Sequence, residues 1–115
     1  MAEGQITTTF EARGERGVVA YITIDRPNKL NALSIEQAGR LVDAFDALRR
    51  RDDLRAVVLT GAGDKAFQGG ADLDQLGELT QETARRYITS VHLICAGIRA
   101  CPVPVIARVN GYCIG

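Results

Sequence analysis

Two apolar periodicities alternate along this chain, one with the period of strands and one with the period of helices. Residues 6–12 and 18–25 are rich in β-branched and aromatic side chains, and Arg13-Gly14-Glu15-Arg16-Gly17 between them predicts a hairpin connection. The second run, from Val18 to Ile24, is the more apolar, so it is expected to be the more buried strand. Ser34-Ile35-Glu36-Gln37 fits a capping box, and Ile35, Ala38, Leu41, Val42, Phe45 and Leu48 then recur at helical spacing. This helix is expected to end near Arg51, with the turn at Asp52-Asp53 followed by a short buried strand over 55–60.

Strand, helix and strand in that order predict a βαβ unit with parallel strands and a right-handed crossover. A second long helix is predicted over 81–100, with Thr80 as its N-cap. Ala84, Tyr87, Ile88, Val91, Ile94, Cys95 and Ile98 should share one side of it. Pro102 and Pro104 end it, and residues 103–109 read as another strand. The chain shows no internal repeat, low-complexity tract or linker, so the pattern predicts one α/β domain.

Composition adds exclusions. Nearly half of the 115 residues are apolar, and 14 Lys and Arg balance 14 Asp and Glu, which gives no basic excess for nucleic-acid binding. The Arg49-Arg50-Arg51 triplet reads as cations at a helix C-terminus. No apolar run reaches the roughly 20 residues of a membrane span, and residues 1–5 lack the pattern of a signal peptide. Cys95, Cys101 and Cys113 have neither zinc-type nor redox-pair spacing, so reduced thiols in a cytoplasmic protein are expected.

Three loops at the C-terminal ends of strands are where an open α/β sheet places ligands. In the first, residues 25–33, Arg26 and Lys29 offer cations beside a helix N-terminus, which suits a phosphate; a solvated connection is the plain alternative. In the second, Gly61, Gly63 and Ala66 fit the spacing of a dinucleotide fingerprint, yet Phe67-Gln68-Gly69-Gly70 interrupts the helix that motif needs. A second reading of this loop uses Gly69-Gly70 for close backbone approach to a ligand and Asp72 as the cap of a short helix over 73–76. The N–H of Ala71 would then be a candidate oxyanion donor. A glycine bend before a capped helix explains the same residues. In the third loop, residues 110–115, Gly111 and Gly115 suggest a loop entering a helix.

No Gly-x-Ser-x-Gly elbow or Walker sequence is present. His92, the only histidine, is expected to be a partly buried structural residue at a helix edge. Asp72 and Asp74, two apart, do not share a helical face as metal ligands would.

Taken together, Arg26-Pro27-x-x-x-Asn31-Ala32-Leu33, then Val57 to Gly61 with Ala66-Phe67-x-x-Gly70-Ala71-Asp72-Leu73, then Pro104 to Tyr112 resemble three blocks of the crotonase (enoyl-CoA hydratase/isomerase) family in register. The resemblance implies a crotonase-like ββα spiral, of which residues 1–115 would be the N-terminal part of a single domain, truncated after the third block. It implies an acyl-CoA thioester as substrate, with an enolate stabilised by two backbone N–H groups, and no cofactor beyond the coenzyme A that the substrate carries. The first donor would be the Ala71 N–H. Gly70, Ala71, Asp72, Leu73 and Asp74 would line one side of the CoA site, with Arg26, Lys29, Leu30 and Ala32 on the other. Asp74 stands where many relatives carry Lys, and Gln68 where a small residue is usual. The second donor would follow Gly115, the two catalytic glutamates would lie beyond it, and the 115 residues alone would be inactive. A homotrimer or dimer of trimers is implied for the full-length protein. The competing expectations are a non-catalytic CoA-binding or scaffold relative, and an NAD(P)-binding oxidoreductase.

Overall fold

A computed structural model describes residues 4–115; Met1, Ala2 and Glu3, part of the N-terminal segment read above, lie outside the described residues. Strands β1 (Gln5–Ala12) and β2 (Val18–Asp25) pair antiparallel, from Gln5 opposite Asp25 to Ala12 opposite Val18. A 3-10 turn, Gly14–Arg16, joins them, and Gly17 follows at φ 118°, where an added Cβ would collide with the Asp53 carbonyl. β2 buries Ala20, Ile22 and Ile24 in strict alternation, whereas β1 is largely exposed, as the difference in apolarity predicts.

Helix α1 (Ile35–Leu48) carries the chain from β2 to β3 (Leu54–Gly61), which lies parallel to β2. β5 (Val105–Arg108) adds in parallel beside β3, giving a four-stranded sheet of order β1-β2-β3-β5. Ala38, Leu41, Phe45 and Leu48 of α1 form the core with Ile22, Ile24 and Val57 of the sheet. The same helical face buries Gln37, which apolar periodicity could not mark; its Nε2 donates to the Gln5 carbonyl at 3.3 Å. Ser34 starts the helix, its Oγ accepting the Gln37 N–H at 3.1 Å. Ser34→Ala is therefore expected to lower stability by about 1 kcal/mol. An unchanged denaturation midpoint would remove the cap from the account.

α1 ends at Leu48 with Arg49 as its C-cap, so the Arg triplet stands at the helix C-terminus as read, with only Arg49 touching the last turn. Arg51 instead makes a two-pronged bond to Asp53, at 2.9 and 2.8 Å, and lies over the Phe10 ring at 4.0 Å. These contacts draw it across the turn rather than along a helix axis.

Helix α3 (Gln81–Ala100) is capped by Thr80 through a reciprocal bond with Thr83. It packs on α1 along a narrow stripe, where a Cβ at Gly97 would come within 3.4 Å of Phe45 Cβ. Ile94 is buried in the core and Tyr87 is buried near Leu33, but Ile88 is 66% exposed and Cys95 is exposed, so only part of the apolar side is covered. His92 is exposed too, contrary to the partly buried position expected for it, because it faces away from that stripe.

Two short strands lie where loops were expected. β4 (Ala66–Gln68) and β6 (Tyr112–Cys113) pair in parallel, so residues 110–115 hold a short strand at Tyr112–Cys113. Segments of three and two residues carry no readable periodicity. The pairing depends on a close approach at Gly111, where a Cβ would collide with the Lys65 carbonyl.

Candidate functional site: a groove at the ends of the parallel strands

The loops after β2, β3 and β5 meet at one end of the sheet, held by two asparagines. Asn31 is fully buried. Its Oδ1 accepts the Arg26 N–H at 2.8 Å, and its Nδ2 donates to the Ala62 and Ala66 carbonyls at 3.0 and 2.9 Å. Asn110 grips the same loop from the other side, donating to the Gly61 and Gly63 carbonyls at 2.8 and 2.9 Å and accepting the Gly61 N–H at 3.2 Å. This clamped loop runs from β3 directly into β4, so the Gly61, Gly63 and Ala66 spacing opens no helix. The phosphate-binding helix N-terminus of a dinucleotide fold is therefore not formed at this loop.

The first loop bends through a 3-10 turn, Pro27–Lys29, into two successive left-handed residues, Leu30 at φ 54° and Asn31 at φ 57°. Asn tolerates that conformation; Leu does so at a cost of about 1–2 kcal/mol. The bend brings Leu33 alongside Ala71 as an isolated parallel bridge. Leu33 N–H donates to the Gly70 carbonyl at 2.9 Å, and Asp72 N–H donates to the Leu33 carbonyl at 3.0 Å. Ala71, between these two bonds, turns its own N–H away from Leu33. Among the described residues that N–H donates to nothing.

Arg26 does not stand free as a cation for phosphate, as its place in the loop suggested. Its side chain is 10% exposed and its Nη1 pairs with Asp72 Oδ2 at 2.8 Å, while also reaching the Ala32 carbonyl at 3.3 Å. Asp72 in turn is the N-cap of α2 (Leu73–Leu76), accepting the Asp74 and Gln75 N–H groups on Oδ1 at 3.0 and 3.2 Å. Burial opposes the charge on Asp72. The Arg26 guanidinium and the N–H groups of Gln75 and Asp74 outweigh it and hold the carboxyl below the usual carboxylate range. Tyr87 of α3 donates to the Leu33 carbonyl at 3.3 Å, and burial, with the Asp72 charge behind it, pushes its hydroxyl pKa up.

In front of this buried pair lies a groove of about 270 Å³. Lys29, Leu30 and Ala32 form one wall, Leu73 and Asp74 the other, and Gly69, Ala71 and Asp72 the floor. Seven of the nine residues expected to bind substrate thus share one cavity. Gly70 and Arg26 do not line it; both are buried, Gly70 with its φ of 98° in a conformation that favours glycine. Gly69, read with Gly70 as a site of close backbone approach to a ligand, lies in the floor of this groove, and a Cβ there would approach the Leu30 carbonyl to 2.6 Å. At the mouth Lys29 Nζ meets Asp74 Oδ2 at 3.3 Å, both largely in solvent. Among the described residues no cluster of His, Cys, Asp or Glu could hold a metal ion, and no helix is long and apolar enough to cross a membrane.

The model of the enoyl-CoA hydratase/isomerase family matches residues 14–115. The chain belongs to that family. It is 33% identical over 101 residues to the short-chain-enoyl-CoA hydratase of Clostridium acetobutylicum, covering 88% of this chain and 39% of that protein. It is 35% identical over 97 residues to the (E)-benzylidenesuccinyl-CoA hydratase of Thauera aromatica, covering 84% and 38%. The crystal structure of an enoyl-CoA hydratase from Bacillus anthracis superposes with a TM-score of 0.83 at 29% identity, over 92% of this chain and 40% of that one. The crotonase fold expected from the three sequence blocks is thereby shown. The family member described here spans about two fifths of the length of the relatives it matches.

Proposed function

We propose that the full-length protein carrying this stretch is an acyl-CoA-processing enzyme of the enoyl-CoA hydratase/isomerase type, and that the Ala71 N–H is one donor of its oxyanion hole. The observation that carries the reading is the unpartnered Ala71 N–H at the floor of the groove. A thioester laid there would place its carbonyl oxygen against that N–H. A donor fixed beforehand stabilises the negative charge that develops on this oxygen as an enolate forms, without reorganising at the moment of reaction.

The walls suit the rest of a CoA ester. Leu73, 79% exposed, offers apolar surface to an extended pantetheine chain. The exposed Lys29–Asp74 pair is worth little in water, so Lys29 can leave Asp74 for a phosphate at small cost. Arg26 acts from behind, holding Asp72 and hence the first turn of α2, and is not itself a phosphate ligand on this reading. The second donor and the acid and base glutamates, which the family resemblance places past Gly115, would complete the chemistry. Coenzyme A enters as part of the substrate, so the reaction requires no separate cofactor. On the same reading the full-length protein is a cytoplasmic homotrimer or dimer of trimers.

The test is to mix the full-length protein with a short 2-enoyl-CoA and follow the loss of the conjugated enoyl absorbance, with CoA binding measured by calorimetry. Turnover is expected. Binding without turnover would leave a non-catalytic CoA-binding relative, and absence of both would end the acyl-CoA reading.

A further inference from the structure

Gln68 stands immediately before the glycine pair, and its side chain folds back over it. Its Nε2 donates to the Gly70 carbonyl at 2.6 Å. That carbonyl already accepts the Leu33 N–H at 2.9 Å, so it is held by two donors. The Gly70 carbonyl and the Ala71 N–H belong to one planar peptide unit, and no peptide bond among the described residues is cis. In a trans unit the two groups point in opposite directions. Fixing the oxygen therefore fixes where the hydrogen points.

Two consequences follow for the Ala71 N–H. Glycine at position 70 leaves this peptide unit unusually free to rotate, and the second donor removes that freedom. Each bond accepted by the carbonyl also draws electron density from the amide, strengthening its N–H as a donor by roughly 10–30%. Gln68 itself is a firm base for this. Its backbone carbonyl accepts the Ile114 N–H at 3.0 Å, it is paired with Cys113 across the β4–β6 ladder, and its neighbour Phe67 is buried.

We propose that Gln68 is a positioning residue, whose side-chain amide locks the Gly70–Ala71 peptide so that the Ala71 N–H is presented to the groove as a preoriented donor. This rests on the acyl-CoA reading above, because a donor needs an oxyanion to serve. Gln68 itself does not line the groove, so its effect should be on the reaction rather than on binding.

Gln68→Met keeps the length of the side chain and removes the donor. In the full-length protein it is expected to lower kcat for a short 2-enoyl-CoA about tenfold, with KM changed less than twofold. Two spectroscopic readouts report on the peptide directly. The amide proton of Ala71 should move upfield in the unliganded variant, since its carbonyl has lost a partner. A bound arylacryloyl-CoA, whose absorption shifts to the red when its carbonyl is polarised, should show a smaller shift than with wild type. A merely structural role would lower the melting temperature and leave both spectra unchanged. If wild type turns over and Gln68→Met, still folded, stays within twofold in kcat with the Ala71 proton unmoved, the inference fails while the proposed function stands. If wild type neither turns over nor polarises the thioester, the proposed function fails and the role of Gln68 fails with it.

Discussion

Arg26→Met is expected to destabilise the protein by about 3–5 kcal/mol at neutral pH, because it leaves the Asp72 carboxylate buried without its counter-ion. Asp72 is 7% exposed, and its remaining partners are the two N–H groups of α2 that it caps. The loss measures the penalty on the abandoned charge rather than the net worth of the pair. Arg26 Nε is already buried without a partner, so the pair itself is far from fully satisfied. Adding Asp72→Asn to Arg26→Met should therefore recover part of the loss, since a neutral Asn still caps α2. The pH dependence carries a sign. In the native pair the Asp72 carboxyl titrates below its unfolded value, so its stabilisation is present above about pH 4 and is lost as pH falls through the folded pKa. In Arg26→Met, burial is left as the dominant influence and raises that pKa, so acid relieves the variant. The cost of the substitution should thus be smaller at pH 4 than at pH 7 in urea titrations. An equal cost at both would mean that Asp72 is not the group left stranded.

Most of this architecture is legible in the sequence because it is set by long, locally consistent signals. α1 and α3 carry their caps, Ser34 and Thr80, and their apolar spacing; β2 and β3 carry runs of β-branched residues. The rest is set where tertiary contacts override local pattern. The Arg triplet reads as a helix end and Arg49 does cap α1, but the hold of Asp53 and Phe10 on Arg51 has no local signal. The apolar spacing of α3 marks seven residues on one side, yet only Tyr87 and Ile94 of them are buried. β4 and β6 are pairings between distant segments, and no local period could announce them. At the groove, the family resemblance points to Lys29, Leu30, Ala32 and the 70–74 segment, but not to which charge faces outward. Arg26 and Lys29 look alike as cations in sequence; only the fold shows one locked onto Asp72 and the other at the mouth. The backbone bond that leaves Ala71 unpartnered depends on Leu33 arriving beside it, through two left-handed residues that no propensity would predict for Leu30.

Replacing the single amide between Gly70 and Ala71 by an ester, which exchanges one N–H for oxygen, is expected to lower kcat by about 10²–10³-fold in the full-length protein. The expectation follows from where that N–H points. It forms no bond within the described fold, so its removal should cost little stability; the Gly70 ester carbonyl still faces Leu33 N–H and Gln68 Nε2, though as a weaker acceptor. KM should change little, because the donor acts most strongly on the charge that appears only in the transition state. The neighbouring amide supplies the control. Asp72 N–H donates to the Leu33 carbonyl at 3.0 Å, so an ester between Ala71 and Asp72 removes a structural bond and should cost about 1 kcal/mol of stability. Two backbone changes one residue apart thus have opposite signatures, one in rate and one in folding. If the ester at Ala71 left kcat within about threefold while the protein still bound CoA thioesters, the oxyanion would have to be stabilised elsewhere, and Ala71 would be only a lining residue of the groove.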